Sequence, residues 1–161
     1  MVYKLEVKAN DFKSDTVCMG WQLIEILRNF ECMTDVEWLI FDVYGTTHRD
    51  LSQLFEINET GEIIFESTKD LISSVEQVIQ FEQGVFCLVP NSEEIQFIDG
   101  PPETESPEGM QIKGSLLEIR TFDYSFFEIY SRDKDCLEKI KNNCSLQKNL
   151  IFKGIDNEFR I

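Results

Sequence analysis

Residues 37–44 read EWLIFDVY, a run in which aromatic and β-branched side chains dominate. A short apolar run of this composition is typical of a central strand that is buried on both faces. Residues 84–89, GVFCLV, have the same character and end at Pro90, which cannot donate a hydrogen bond to a sheet. The sequence therefore predicts a sheet that has these two strands near its centre.

Further strands and helices are predicted on both sides of this pair. Residues 2–8 alternate between polar and apolar side chains, which indicates a half-buried strand. Apolar residues, Trp21 among them, recur at helical spacing over 17–30 and are expected to face a sheet. Ser67 with Asp70 resembles the cap of a second helix that runs to about Phe81. The other predicted elements are a loop over 45–50, a hairpin over 52–65 with its turn at 58–61, two strands within 111–131, and a helix over 134–143 that Asp133 can cap.

This order of elements predicts an α+β fold: a single domain over residues 1–161, with a mostly antiparallel sheet and about three helices packed on it. No apolar run is long enough to span a bilayer, and the first residues lack the apolar segment of a secretory signal. The 5 cysteines have no paired spacing and His48 is the single histidine, which disfavours disulfide and zinc sites. We therefore expect a cytoplasmic chain with no metal or cofactor.

Charge is distributed very unevenly along the chain. Residues 31–110 contain 18 Asp and Glu residues against two bases, Arg49 and Lys69, whereas both flanks are close to neutral. This excess disfavours nucleic acid and anionic membranes as ligands, because both bind clustered Lys and Arg. It favours a basic protein partner that is attracted by the field of the acidic region. Residues 90–109 have no base and several prolines, and they are predicted to form an exposed acidic loop.

Candidate partner-binding residues were chosen from this acidic region, because carboxylates can pair with Arg and Lys of a basic partner. Phe97 was added as an apolar anchor, since interfaces commonly bury an aromatic side chain at their centre. The candidates are Glu56, Glu59 and Glu62 on the predicted hairpin, Asp70 on the second helix, and Glu93, Glu94 and Phe97 on the loop.

Residues 38–47, WLIFDVYGTT, resemble the first motif of the haloacid dehalogenase superfamily, in which a strand ends in Asp-x-x-Gly-Thr. The resemblance implies a hydrolase or phosphatase with Asp42 as nucleophile, Gly45 and Thr46 in the adjoining turn, and a Mg²⁺ ion. The other motifs of that superfamily have no clear counterpart here, so this reading is an alternative. A further alternative is a regulatory or housekeeping domain whose acidic residues only keep it soluble.

A small, acidic α+β chain without a complete catalytic motif resembles bacterial toxin-immunity proteins, including those of contact-dependent inhibition systems. The resemblance concerns size and charge and involves no diagnostic residue. It implies a monomer or weak dimer without enzymatic activity, which neutralises a basic nuclease toxin by blocking its active site or substrate channel.

Overall fold

The computed structural model describes residues 1–92, 94–144 and 153–155, and these form one antiparallel sheet with helices packed on it. The strands are β1 (Val2–Val7), β2 (Val36–Thr47), β3 (Ile63–Phe65), β4 (Val78–Pro90), β5 (Leu117–Phe122), β6 (Phe126–Ser131) and β7 (Lys153–Ile155). The α-helices are α1 (Gly20–Leu27), α2 (Leu51–Leu54), α3 (Thr68–Val75) and α4 (Lys134–Asn143), with 3₁₀ turns at Ala9–Phe12 and Arg28–Phe30. The strand order is β3-β2-β4-β5-β6-β1-β7, which confirms the predicted α+β class and the antiparallel sheet.

The central strands β2 and β4 are both longer than predicted. The predicted loop after Tyr44 is wrong in its first residues, because β2 continues to Thr47 and pairs Gly45 with Phe81. A Cβ atom on Gly45 would lie 2.4 Å from the carbonyl oxygen of Gln80, so the close approach of the strands requires glycine there. The helix predicted to run from Ser67 to about Phe81 is shorter in the structure. It is α3, which ends at Val75, and the apolar residues that follow belong to β4. Pairing along the sheet outweighs the helical spacing of these residues.

The predicted hairpin over 52–65 is wrong, although its second strand exists. Residues Leu51–Leu54 form α2, and the Asp50 side chain accepts a hydrogen bond from Ser52 N at 3.1 Å at the start of this helix. Phe55 follows and is buried with its ring 5.9 Å from that of Phe65. β3 therefore pairs with β2 instead of with residues 54–57, because Leu54 and Phe55 turn inward to the core.

The other helices start near the positions predicted from their caps. Ser67 Oγ accepts from Asp70 N at the start of α3, and Asp133 Oδ1 accepts from Asp135 N at the start of α4. The helix predicted over 17–30 is α1 and the 3₁₀ turn that follows it. Trp21 is 48% exposed and contacts Phe12 edge to face at the surface, so the expectation that it faces the sheet is wrong.

The two faces of the sheet are covered in different ways. The helix side, defined here as the face on which α1, α3 and α4 pack, carries the main core, with Trp38, Phe86 and Ile119 fully or almost fully buried. The opposite side carries a smaller apolar cluster that includes Leu39, Val85 and Ile112. Residues 94–116, called the covering segment below, lie on this opposite side: Ile95 and Ile112 belong to the cluster, and Thr104 N and Gly109 O bond to side chains of the sheet.

Arg120 fastens that covering segment to the sheet. Its side chain is 0% exposed, and its Nε donates to Glu118 Oε1 at 2.8 Å on the same strand. Its other nitrogens donate to three carbonyl oxygens of the segment, those of Ser106, Pro107 and Gly109. Glu94, Asp99, Glu103 and Glu105 of the segment are exposed, but Pro102 and Thr104 are buried, so residues 94–109 form a cover held against the sheet.

No helix within the described ranges is long and apolar enough to cross a membrane.

Arg120→Met tests the contribution of this buried charge to stability. The substitution leaves the Glu118 carboxylate buried without its cation and removes the donors to the covering segment. We expect the free energy of unfolding in urea to fall by about 3–5 kcal/mol. Arg49→Met is the matched control at an exposed arginine, and a loss for Arg120→Met no larger than for this control would contradict the assignment.

Candidate protein-binding surface

The acidic residues predicted on the hairpin lie together at one end of the sheet. β3 is the terminal strand of the strand order, and residues 56–62 connect α2 to it. Glu56 and Glu59 are exposed, and Glu62 is half-buried directly before β3. The structure therefore places these three predicted residues around one strand, although they do not form a hairpin.

The predicted turn at 58–61 is present and fixes the direction of this connection. The Asn58 side-chain oxygen accepts from the backbone nitrogens of Thr60 and Glu62 at 3.0 and 2.8 Å, and Asn58 N donates to Glu62 O at 2.7 Å. Gly61 has φ of +83°, a backbone conformation that glycine adopts without strain. The turn leaves Glu59 exposed at the tip of the connection.

The two faces of the sheet at β3 have different chemistry. Ile63 and Phe65 pack against the core of the helix side, whereas Ile64 packs on the opposite side. Because side chains alternate along a strand, Glu62 and Glu66 lie on the same side as Ile64. The end of the sheet is thus apolar on its helix side and acidic on its opposite side.

Glu37 of β2 extends this acidic side. It pairs with Val89, whose side chain belongs to the cluster on the opposite side. Burial, together with the charges of Glu62 and Glu66, raises the pKa of the Glu37 carboxyl. The three carboxylates are therefore close enough to repel one another, and a cation bound among them would relieve this repulsion.

A groove of about 430 Å³ lies at β3. It is lined by Ile64 and Phe65 of β3, by Gln53 and Leu54 of α2 with residues 56–58 of the connection that follows, and by Ser74 of α3. Ile57, whose side chain is 69% exposed, also lines a second hollow of about 380 Å³ with Phe55 and Ile63. An exposed isoleucine between two hollows offers apolar surface to a partner.

The remaining predicted residues lie elsewhere. Asp70 is exposed in the first turn of α3, Glu94 is exposed on the covering segment, and Glu93 lies outside the described residues. Phe97 is 40% exposed and contacts the Phe41 ring edge to face at 5.7 Å on the opposite side. Sequence reasoning missed Ile57 and Glu37, because Ile57 was read as part of a buried strand and Glu37 as the start of one.

Another apolar hollow, of about 340 Å³, lies between the start of α4 and the residues that follow α1. Met33 and Leu116 are partly exposed in its wall. Asp133, Asp135 and Lys139 line it together, so its charge is mixed and does not select a partner of one sign.

Asp42, the nucleophile of the hydrolase alternative, has a structural role. Its carboxylate accepts from Gln83 Nε2 at 2.6 Å and from Thr104 N at 3.0 Å, and it thereby joins the covering segment to the sheet. Gly45 and Thr46 continue the strand instead of forming a substrate-binding turn. Within the described ranges, no group of three or more His, Cys, Asp or Glu side chains is arranged to hold a metal ion.

Comparison with known proteins gives one informative match. The chain is similar to a human protein, Meiotic recombination protein REC114. The two are 28% identical over 106 residues, a match that spans 61% of this chain and 35% of the human protein. No protein-family model and no solved structure matches the chain.

This similarity contradicts the expectation of a bacterial immunity protein. The match is to a eukaryotic protein of meiotic recombination, and nothing in it concerns a toxin or a nuclease inhibitor. Size and net charge, on which the expectation was based, are shared by proteins of many unrelated functions. The expectations that the chain is a bacterial immunity protein and that it neutralises a toxin are therefore wrong.

Asp42→Ala tests the structural role of this carboxylate. Asp42 has φ of +53°, a conformation that alanine tolerates poorly, and the substitution leaves Thr104 N without its acceptor. We expect the free energy of unfolding to fall by about 1–3 kcal/mol and the Thr104 amide to exchange faster with solvent. Asp42→Asn keeps an oxygen acceptor and should lose less; equal stability of all three proteins would contradict this role.

Proposed function

We propose that this chain is a protein-binding module of meiotic recombination that docks a cationic segment of a partner at the β3 edge. The observation that carries the proposal is the groove at β3, the terminal strand of the sheet among the described residues. Its lining combines apolar side chains, those of Ile57, Ile64 and Phe65, with the Glu56 carboxylate, and further acidic residues lie in the connection and directly after the strand. These are the features of a peptide-binding site in which apolar contacts provide affinity and charge selects the partner.

The charge around the groove supports a basic partner. Residues 50–66 contain Asp50, Glu56, Glu59, Glu62 and Glu66, and they contain no Lys or Arg. The nearest bases in sequence are Arg49 and Lys69, both of which are exposed. A cationic segment would be attracted to this end of the sheet and would find exposed carboxylates with which to pair.

The meiotic setting is supported by the similarity to the human recombination protein. Because the chain spans about a third of that protein's length, the similarity bears on one region, and any role of the whole protein is part of the proposal. A role in recombination would bring the chain to chromosomes, in place of the cytoplasmic location expected from sequence. The acidic surface favours contact with chromosomal proteins over direct contact with DNA, whose phosphates it would repel.

We also propose that the chain acts by binding and not by catalysis. The one carboxylate that matched a catalytic motif, Asp42, already accepts two hydrogen bonds that fasten the covering segment. Glu56 is the acidic residue that lines the groove, and no histidine lines it in the part of the chain that is described.

Replacement of the gene at its own locus tests both parts of the proposal. Glu56, Glu59, Glu62 and Glu66 are changed together to Gln, and recombination frequency between linked markers is scored after meiosis. We expect this variant to lose most of the recombination that deletion of the gene removes, because the partner no longer docks. Glu6, Glu25, Glu105 and Glu138 changed to Gln are the matched control with the same change in net charge, and this control should behave as the natural protein.

Two outcomes would contradict the proposal in different ways. If deletion of the gene leaves meiotic recombination unchanged, the meiotic role is wrong. If deletion lowers recombination but the variant at Glu56, Glu59, Glu62 and Glu66 does not, the meiotic role stands and the docking surface is wrong.

A further inference from the structure

We infer that the partner segment binds as a β-strand added to the outer edge of β3, with apolar side chains facing the helix side and Lys or Arg facing the opposite side. This inference rests on the proposed function and specifies how the same surface selects its partner. Three features support it: the outer edge of β3, the difference between the apolar and the acidic side of the sheet at that edge, and the groove there.

β3 leaves one edge available for pairing. Its three residues pair with Trp38, Leu39 and Ile40 of β2, and no other strand among the described residues pairs with its outer edge. In an antiparallel pair, consecutive residues point their backbone N–H and C=O groups alternately toward and away from the neighbouring strand. Ile64 and Phe65 are consecutive and both line the groove, so one of them points these groups into it.

The two sides of the sheet at this edge require different side chains. On the helix side, an added strand would meet the apolar surface of Ile57, Ile63 and Phe65. On the opposite side it would meet the carboxylates of Glu62 and Glu66, with Glu37 behind them on β2. Because successive side chains of a strand point to opposite faces, a segment that alternates apolar and basic residues satisfies both sides at once.

The space beside β3 fits one extended segment. Ile64 and Phe65 line the groove of about 430 Å³ together with residues 56–58, and Ile57 also lines the hollow of about 380 Å³ with Phe55 and Ile63. The turn at Asn58 holds residues 58–62 by hydrogen bonds of its own side chain, so this wall is formed before a partner arrives. A strand pairs along its backbone and needs no deep pocket, which suits a groove bounded by short elements.

Charge complementarity identifies the occupant as a cationic strand and not a second copy of this chain. The carboxylates of one copy would repel those of another at this edge, since residues 50–66 contain no base. Edge strands of natural proteins are commonly protected from self-pairing by charged residues. The same carboxylates that prevent self-association would admit a partner strand that carries Lys or Arg.

Two synthetic peptides of equal composition test the inference. One consists of Val-Lys repeats and the other of Val-Val-Lys-Lys repeats, each about eight residues long, a usual strand length. We expect the alternating peptide to bind about tenfold more tightly, because only it can place its apolar and basic residues on separate faces. Binding should also slow the solvent exchange of the Ile64 or Phe65 amide, measured by NMR on the labelled protein.

Charge-reversed protein provides the matched comparison. Glu62→Lys with Glu66→Lys should abolish the preference for the alternating peptide, whereas Glu25→Lys with Glu138→Lys, an equal change in net charge, should preserve it. If the reversed protein does not fold, Glu62→Gln with Glu66→Gln serves as the milder variant, and the preference should fall with it.

The outcomes separate this inference from the proposed function. Equal binding of both peptides, with no slowing of exchange in β3 but with weaker binding to the reversed protein, would overturn strand addition and leave cationic docking intact. Binding of neither peptide would also overturn strand addition, and the gene-replacement test then decides the proposed function independently.

Discussion

Arg120 is a buried positive charge whose neutralisation depends on two parts of the chain. The Glu118 carboxylate on the same strand supplies the counter-charge, and carbonyl oxygens of residues 106–109 accept its remaining donors. The guanidinium also lies 4.7 Å from the centre of the Tyr130 ring on the neighbouring strand. A buried charge destabilises the fold unless its donors have partners. If the covering segment left the sheet, donors of the guanidinium would lose their acceptors and the folded state would be destabilised.

This constraint explains why the covering segment lies over one part of the sheet and the end of the sheet at β3 remains open. The covering segment is fastened to β2 by Asp42 and to β5 by Arg120, and it packs against the apolar side chains that β2 and β4 present. At the far end, β3 is only three residues long, and the part of the acidic region before it forms a turn held by Asn58. The result is a strand edge with apolar residues on one side and carboxylates on the other.

Sequence reasoning succeeded where local signals and tertiary packing agree. Residues 37–44 form a strand as predicted, and β4 ends at Pro90. The helices α3 and α4 begin at the predicted caps, Ser67 and Asp133. It failed where long-range pairing decided the outcome. The first strand of the hairpin predicted over 52–65 does not form, because Leu54 and Phe55 pack into the core and Leu51–Leu54 is helical.

The candidate site was predictable only in part for the same reason. The concentration of acids identified Glu56, Glu59 and Glu62 without showing that they surround a strand edge. Glu37 joins Glu62 and Glu66 only through the register of β2 and β3, which no local pattern encodes. The role of Asp42 was likewise hidden, because its partners are 41 and 62 residues away in the sequence.

Native-state hydrogen exchange measures directly whether the outer edge of β3 is open in the free protein. We expect one of the Ile64 and Phe65 amides to exchange almost as fast as in an unfolded chain, while the other and the amides of β4 are protected. If both amides were as strongly protected as those of β4, another part of the chain would cover this edge, and β3 could not receive a partner strand.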